Sequence, residues 1–240
     1  MCYRRSMIDL RSLVRRSLRH SGLSKIHHPS FADLLAREGI RTVFDVGANA
    51  GHYGIDLRER GYRGRLVSFE PIASVFRELE ANSRHDPAWD CYRIGLGDRD
   101  QAMDISVAQA SVFSSLKPPS DYTAGKFVGA TEERRESIEV ERLDTFLAAH
   151  PDLLDRPFLK IDTQGFEQEV LDGAGDMLAR FHGVQLELAL RPLYAGQLLW
   201  LPMIDYMAGK GFTVAMVKEN GFDWDAMRLL ELDVLFMRAD

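Results

Sequence analysis

Cysteine is almost missing from this chain. Cys2 and Cys91 are the whole supply in 240 residues, too few for a disulfide framework and suited to a reducing cytoplasm. Long apolar runs are missing as well: none approaches the roughly 18 consecutive residues that a membrane-spanning helix needs. The N-terminus is basic but lacks the apolar segment of a secretory signal, so no such signal is expected. Basic charge is in deficit, at a net −6, which argues against nucleic acid as the main partner, because phosphate backbones call for a basic face. His27-His28 has no second ligand pair at metal-site spacing nearby and reads as linker. What is present is ordinary for a soluble globular protein, with 45% hydrophobic and 28% charged residues. The chain is long enough for one large α/β domain with a substantial core, and its length would also allow two.

The charge is unevenly placed. Residues 1–28 carry seven Arg and Lys against Asp9 alone, a local +6 that leaves −12 for the remainder. Leu10, Leu13, Val14 and Leu18 recur at helical spacing, so residues 1–30 are expected to form a basic amphipathic extension. Such a helix caps the domain or makes a homodimer contact in the commoner case. It can also lie on an anionic surface as a peripheral contact at the inner membrane face.

The centre of the chain is Val43-Phe44-Asp45-Val46-Gly47-Ala48-Asn49-Ala50-Gly51-His52-Tyr53-Gly54. An apolar run ends at an acid and a glycine-rich turn, and a helical segment, 52–60, follows. Strand, glycine turn and helix open a nucleotide-binding βα unit. Glycine serves where backbone turns tightly or approaches a ligand, since it has no Cβ in the way. The spacing Asp45-x-Gly47-x-Asn49-x-Gly51 fits the dinucleotide pattern of three glycines poorly; Asn49 tolerates the left-handed conformation better than most residues. Nineteen positions after Gly51, Leu66-Val67-Ser68-Phe69-Glu70-Pro71 ends a second apolar run at an acid. An acid at that distance, on the tip of the second strand, accepts hydrogen bonds from ribose hydroxyls. Turn and acid together favour a cofactor site.

Asp45-Val46-Gly47-Ala48-Asn49-Ala50-Gly51 and Phe69-Glu70-Pro71 resemble the first two cofactor motifs of the FkbM-type S-adenosylmethionine-dependent methyltransferases. The block Leu159 to Ala174, with Lys160, Asp162, Gln164, Gly165 and Glu167, is similar to that family's most specific signature. The resemblance runs from about Thr42 to Arg238. It implies S-adenosyl-L-methionine as cofactor, S-adenosyl-L-homocysteine as product, and a Rossmann-like class I fold. That fold is a mostly parallel seven-stranded sheet with an antiparallel C-terminal strand and helices on both faces. On this reading 31–240 is a single methyltransferase domain, and Asp45, Gly47, Asn49, Gly51, Tyr53, Glu70, Pro71, Asp162 and Gln164 are cofactor-binding candidates. The turn Gly95-Leu96-Gly97-Asp98 should border the adenine ring, where Gly95 and Leu96 leave room for a flat base and Asp98 can accept a bond from its amino group. Asn82, the pair Ser114-Ser115, Glu187 and Arg191-Pro192-Leu193-Tyr194 also match the family.

From Phe31 apolar strands alternate with amphipathic helices, the mark of a parallel sheet covered on both faces. Helices are expected over 31–38, 73–85 and 203–208. Strands are expected at 91–96, 158–162, 184–190, 212–217 and 233–237, with an antiparallel pair at 103–107 and 137–143. Between that pair lies a polar stretch, 117–136, with Pro118-Pro119, Gly125, Gly129 and the run Glu132-Glu133-Arg134-Arg135-Glu136. Loops of that length are functional covers or disordered insertions; 108–136 is read as a lid insertion over the acceptor site.

Asp45, Glu70 and Asp162 all end apolar strands, so one parallel sheet brings them to one edge, where ligands of open α/β sheets sit. Lys160 and Asp162, two apart on a strand, face the same side. Asp162 is the first candidate base and Glu187 the second, with Lys160 stabilising the charge of its neighbour; Glu187 can instead be a structural ion-pair partner of Arg191 or Lys160. Glu167 either faces the site or favours the helix dipole. Two acids do not establish a metal site, and no metal is assigned. Tyr206-x-x-x-Lys210 copies a dehydrogenase spacing but stands far from the glycine turn. The expected activity is O-methyl transfer to a hydroxyl, as the resemblance implies, on a small molecule, a glycan sugar, a glycolipid or another natural product, in the cytoplasm. The alternatives are a nicotinamide-dependent oxidoreductase and a non-catalytic membrane-surface protein built on the basic N-terminus.

Overall fold

The computed structural model describes residues 30–239. The helix expected within 1–28 lies outside them. Ten strands are present among the described residues: β1 (Thr42–Val46), β2 (Arg65–Phe69), β3 (Trp89–Tyr92), β4 (Gly95–Gly97), β5 (Gln101–Ala108), β6 (Glu132–Arg142), β7 (Pro157–Ile161), β8 (Gly183–Ala189), β9 (Phe212–Asp223) and β10 (Arg228–Arg238). Seven form the main sheet in the order β3-β2-β1-β7-β8-β10-β9. β1, β2, β3, β7 and β8 run parallel, and the last strand, β10, is antiparallel to both of its neighbours. The strand order therefore reverses between β1 and β7, and the glycine turn leaves β1 at that point.

The sequence dictates burial on both faces. Every residue of β1 and of β7 is buried, as expected of parallel strands with helices above and below. Helices α1 (Phe31–Arg37), α2 (His52–Glu59) and α3 (Ala73–Ser83) supply Leu35, Leu57 and Leu79 to one core layer with Val43, Leu66 and Phe158. After the short α4 (Asp121–Lys126), helices α5 (Leu143–Ala149), α6 (Glu167–Ala174) and α7 (Trp200–Gly209) supply Phe146, Val170 and Met203 to the opposite layer with Phe44, Val67 and Leu159. Each fully buried side chain of this kind contributes about 1.5–3 kcal/mol. Among the described residues no helix is long and apolar enough to cross a membrane.

Three local expectations are corrected. The strand expected over 91–96 is two strands: β3 pairs with β2, and the chain then leaves the main sheet so that β4 pairs with β6. The charge run 132–136 is strand, not loop, because β6 pairs its backbone with β5 down to Ala108↔Glu132 while its side chains stay largely exposed. β9 and β10 extend well beyond 212–217 and 233–237 and form a long hairpin. β5 and β6 are antiparallel as expected, with Met103 opposite Ile138. Residues 108–136 contain a 3-10 turn at Ser111–Phe113 and α4 before β6 begins.

Candidate active site

The glycine turn is held by its neighbours. Gly47 has φ 74°, and a Cβ there would fall 1.9 Å from the carbonyl oxygen of Asp162, so only glycine lets β1 and β7 end this close together. Asn49 takes φ 49°, closes on itself by accepting from Ala50 N at 2.8 Å, and donates through Nδ2 to Ser111 Oγ at 3.1 Å. Its own backbone N–H donates to Glu70 Oε2 at 3.0 Å, while Glu70 Oε1 accepts from Ile72 N at 2.9 Å. Asn82 Nδ2 ties the turn to α3 through the carbonyl of Ala50 at 2.8 Å.

A solvent-open cleft of about 730 Å³ lies above these strand ends. Gly47, Asn49, Glu70 and Pro71 line it together with Asp162, Thr163, Gln164 and Phe166, the ends of β1 and β7 being adjacent at Gly47 and Asp162, and Ile94, Gly95, Leu96 and Ile105 add apolar lining. Ser111, Val112, Ser114 and Leu116 bring the start of the insertion to its rim. Burial pushes the Glu70 carboxyl up to about 7, although the backbone N–H groups of Ile72 and Asn49 oppose the shift.

Four of the cofactor-binding candidates stand outside the cleft lining, as do Lys160 and Glu187. Gly51 packs on Leu79 and Trp89. Asp45 is fully buried beneath the cleft and meets Lys160 Nζ at 2.9 Å. Tyr53 donates its hydroxyl to Gln185 Oε1 at 2.9 Å, with its ring centroid 5.3 Å from the Lys160 ammonium. Asp98 turns its carboxylate to Arg99, 3.4 Å away, and its carbonyl accepts from Arg142. Ser114 Oγ accepts from Ala108 N, so it shapes the insertion.

The acids at the ends of β7 and β8 do come together. Gln164 Nε2 donates to Asp162 Oδ1 at 2.9 Å and to Glu187 Oε2 at 2.7 Å. Asn220, on β9, donates to Glu187 Oε1 at 2.5 Å. Lys160 Nζ lies 3.5 Å from Asp162 Oδ2 and donates to Gly47 O at 3.3 Å, which answers the question of its partner: it serves β1 and Asp162, not Glu187. Burial first, then Asp162 and Glu231, push the Glu187 carboxyl well above its usual range. Burial likewise pushes Glu231 up to about 8, with Asp162, Glu167 and Asp233 adding to it. Glu167 faces the turn before its own helix: Oε1 accepts from Thr163 N and Gly165 N, both at 3.0 Å. No group of three or more His, Cys, Asp or Glu is placed to hold a metal ion among the described residues.

Two contributors were not visible in the sequence. Gln185 sits in an apolar strand with no motif around it, and Asn220 reaches Glu187 from 33 positions away. Neither carried a signal, since Asn220 stands in the polar run Lys218-Glu219-Asn220-Gly221, which looks like a turn.

Residues 45–214 match the family model described as the methyltransferase FkbM domain. Among curated proteins, the chain is similar to the AMB antimetabolite synthetase AmbE of Pseudomonas aeruginosa, 29% identical over 197 residues, spanning 68% of this chain and 9% of that protein. It is also similar to methyltransferase 1 of Beauveria bassiana, 24% identical over 147 residues, spanning 56% of this chain and 58% of that one. The chain thus matches less than two thirds of the length of either relative. Among solved structures it is similar to magnesium protoporphyrin IX methyltransferase of Synechocystis with bound SAM, at 10% identity and a TM-score of 0.47, covering 98% of this chain and all of that one.

Proposed function

The chain belongs to the FkbM methyltransferase family, whose methyl donor is S-adenosylmethionine, and from that premise we propose that it methylates a hydroxyl of a small-molecule or glycan acceptor. The cleft fits the donor. Glu70 presents a carboxylate for the ribose diol, Gly47 and Asn49 keep the turn open to a close approach, and Ile94, Gly95, Leu96 and Ile105 offer a flat apolar wall for the base. When bound, the donor supplies a methyl group already activated by its sulfonium charge. The protein is left to align a nucleophile, keep water away and remove one proton.

A hydroxyl is a poor nucleophile until its proton is being taken, and a positioned base contributes about 10²–10⁴-fold. The observation that carries the reading is Asp162: it lines the cleft beside the turn and shares one amide with Glu187. Asp162 is the better placed of the two acids, since it lines the cleft, while burial holds the Glu187 carboxyl well above its usual range. Lys160, buried behind Asp162, holds that carboxylate and the end of β1 in place without reaching the acceptor. Start-of-insertion residues at the rim support a cover over the acceptor for 108–136. A cytoplasmic location, and peripheral membrane or dimer contacts through 1–28, belong to the same proposal; binding to anionic but not neutral vesicles would favour the membrane contact.

The test is incubation of the purified protein with methyl-labelled donor and a panel of sugar hydroxyls. Label should appear as a methyl ether. Asp162→Asn should abolish transfer yet leave the heat of S-adenosylhomocysteine binding in place, and unchanged transfer would remove Asp162 from the role. Label found only on nitrogen or carbon would overturn the hydroxyl reading. S-adenosylhomocysteine, and not NAD, should raise the melting temperature, since only a ligand that prefers the native state does so.

A further inference from the structure

We propose that Gln164 is a positioning residue: Ser115 fixes its backbone and Tyr194 its side-chain amide, so that its two N–H groups hold Asp162 and Glu187 together as one base unit. The inference rests on the reading of those acids as the base. It begins from a backbone anomaly. Gln164 takes φ 54°, a left-handed conformation that a side-chain-bearing residue adopts only where its surroundings impose it. Ser115 Oγ donates to the Gln164 carbonyl at 2.7 Å, and Tyr194 donates its hydroxyl to Gln164 Oε1 at 2.8 Å. The next residue, Gly165, is packed so closely on Tyr194 that a Cβ would fall 2.8 Å from the Tyr194 Cβ. Backbone and side chain of Gln164 are therefore held from two different segments.

The chemistry follows from the amide. With its oxygen occupied by the Tyr194 hydroxyl, it can turn only donors toward the acids, and it has two. One serves Asp162 and the other Glu187. Without that fork, two ionised carboxylates this close would repel, and Glu231 and Glu167 already act on Glu187, with Asp233 opposite it on β10 and Lys160 committed to Asp45 and Asp162. Asn220 supplies the remaining donor to Glu187. Donors to the ionised form favour it, so the fork keeps the pair available as a base.

The experiment follows the Glu187 side-chain carboxyl by carbon-13 NMR through a pH titration of the full chain, in wild type, Gln164→Leu and Tyr194→Phe. The Glu187 midpoint should rise by about one pH unit or more in Gln164→Leu, and by about half a unit in Tyr194→Phe, as charge-assisted donation is lost or loosened. A residue that merely supports the fold would lower the melting temperature and leave the midpoint where it is. If Gln164→Leu fails to fold, Tyr194→Phe, which removes one oxygen from a ring packed as before, decides alone. An unmoved or lowered midpoint overturns the proposal. Absence of S-adenosylhomocysteine heat in wild type would end the methyl-transfer reading instead, and the titration would still judge the fork.

Discussion

Lys160 and Asp45 face each other across β7 and β1 with Nζ and Oδ1 2.9 Å apart, their side chains 8% and 0% exposed. Two charges in strands that are otherwise apolar persist only as a pair. Burial works against the Lys160 charge, but Asp45 and then Asp162 outweigh it and hold the amine above its usual range. Asp45 is itself raised, since burial outweighs the help it gets from Lys160. Lys160→Met leaves that carboxylate buried without a counter-charge, and the expected loss is about 3–5 kcal/mol by urea denaturation. Adding Asp45→Asn should restore part of it. A single variant as stable as wild type would mean that the pair carries no weight.

Glu70 makes donor binding depend on pH. Its carboxyl, which accepts from Asn49 N and Ile72 N, is pushed by burial up to about 7, from the 4.5 of an ordinary glutamate. The raised value means that the folded state holds a proton the unfolded chain has released, so this group favours folding at low pH and loses that contribution as pH rises from 4.5 to 7. Ribose hydroxyls bond best to the ionised form. Binding below about 7 must therefore expel a proton, and S-adenosylhomocysteine affinity should fall as pH drops from 7 toward 5, approaching tenfold per unit. Calorimetry in two buffers of different ionisation enthalpy measures the released proton directly, and Glu70→Gln should flatten the profile. Equal heats in both buffers at pH 6 would contradict the proton release.

At Gly173 two known effects oppose each other. Alanine is better than glycine inside a helix by about 1 kcal/mol, and Gly173 lies within α6. A Cβ at this position, however, falls 1.8 Å from the carbonyl oxygen of Gly97. That contact is with backbone, so α6 or β4 must move, and overpacking of this kind costs typically about 1–3 kcal/mol. The steric effect should win. Gly173→Ala is expected to be less stable and, because β4 carries Gly95 and Leu96 to the cleft wall, to bind S-adenosylhomocysteine more weakly. Stabilisation in a thermal melt would show that α6 has room.

The sheet and the cleft were legible because their signals are local. Apolar strands that end in Asp45, Glu70 and Asp162 declare their tips, and the residue types there limit the chemistry. Pairing across distance was not legible. Residues 91–96 have the composition of one strand, and nothing in them says that the chain changes sheets after Tyr92. Glu132 to Glu136 look like solvent-exposed loop because a strand paired on one side and exposed on its faces needs no apolar residues; its backbone bonds hold it. Asp98 follows a turn that does reach the cleft, yet its carboxylate points to Arg99. Asn220 has meaning only once β9 is laid beside Glu187.

The insertion is fastened at Asp223, and the fastening can be cut without touching the donor cleft. Asp223, buried at the turn of the β9–β10 hairpin, accepts from the Tyr122 hydroxyl and meets Lys126 Nζ at 3.0 Å, both of them on α4. It also accepts from the backbone N–H groups of Asp225 and Ala226 at 3.0 Å, so the same carboxylate shapes the hairpin turn and anchors the helix. The Arg191 guanidinium stacks 3.4 Å from the Tyr122 ring centroid and adds a second hold. Asp223→Ala removes both α4 contacts at once, and amide exchange in 121–126 should accelerate by about 10-fold or more, the effect of losing one or two charge-assisted bonds on local opening. S-adenosylhomocysteine affinity should change little, because no α4 residue lines the cleft. If the insertion covers the acceptor, the acceptor KM should rise more than kcat falls. Unchanged exchange in α4 would mean that Arg191, the Lys126–Asp225 pair and the bonds of Ser120 and Thr123 to the Leu193 carbonyl hold the helix without Asp223.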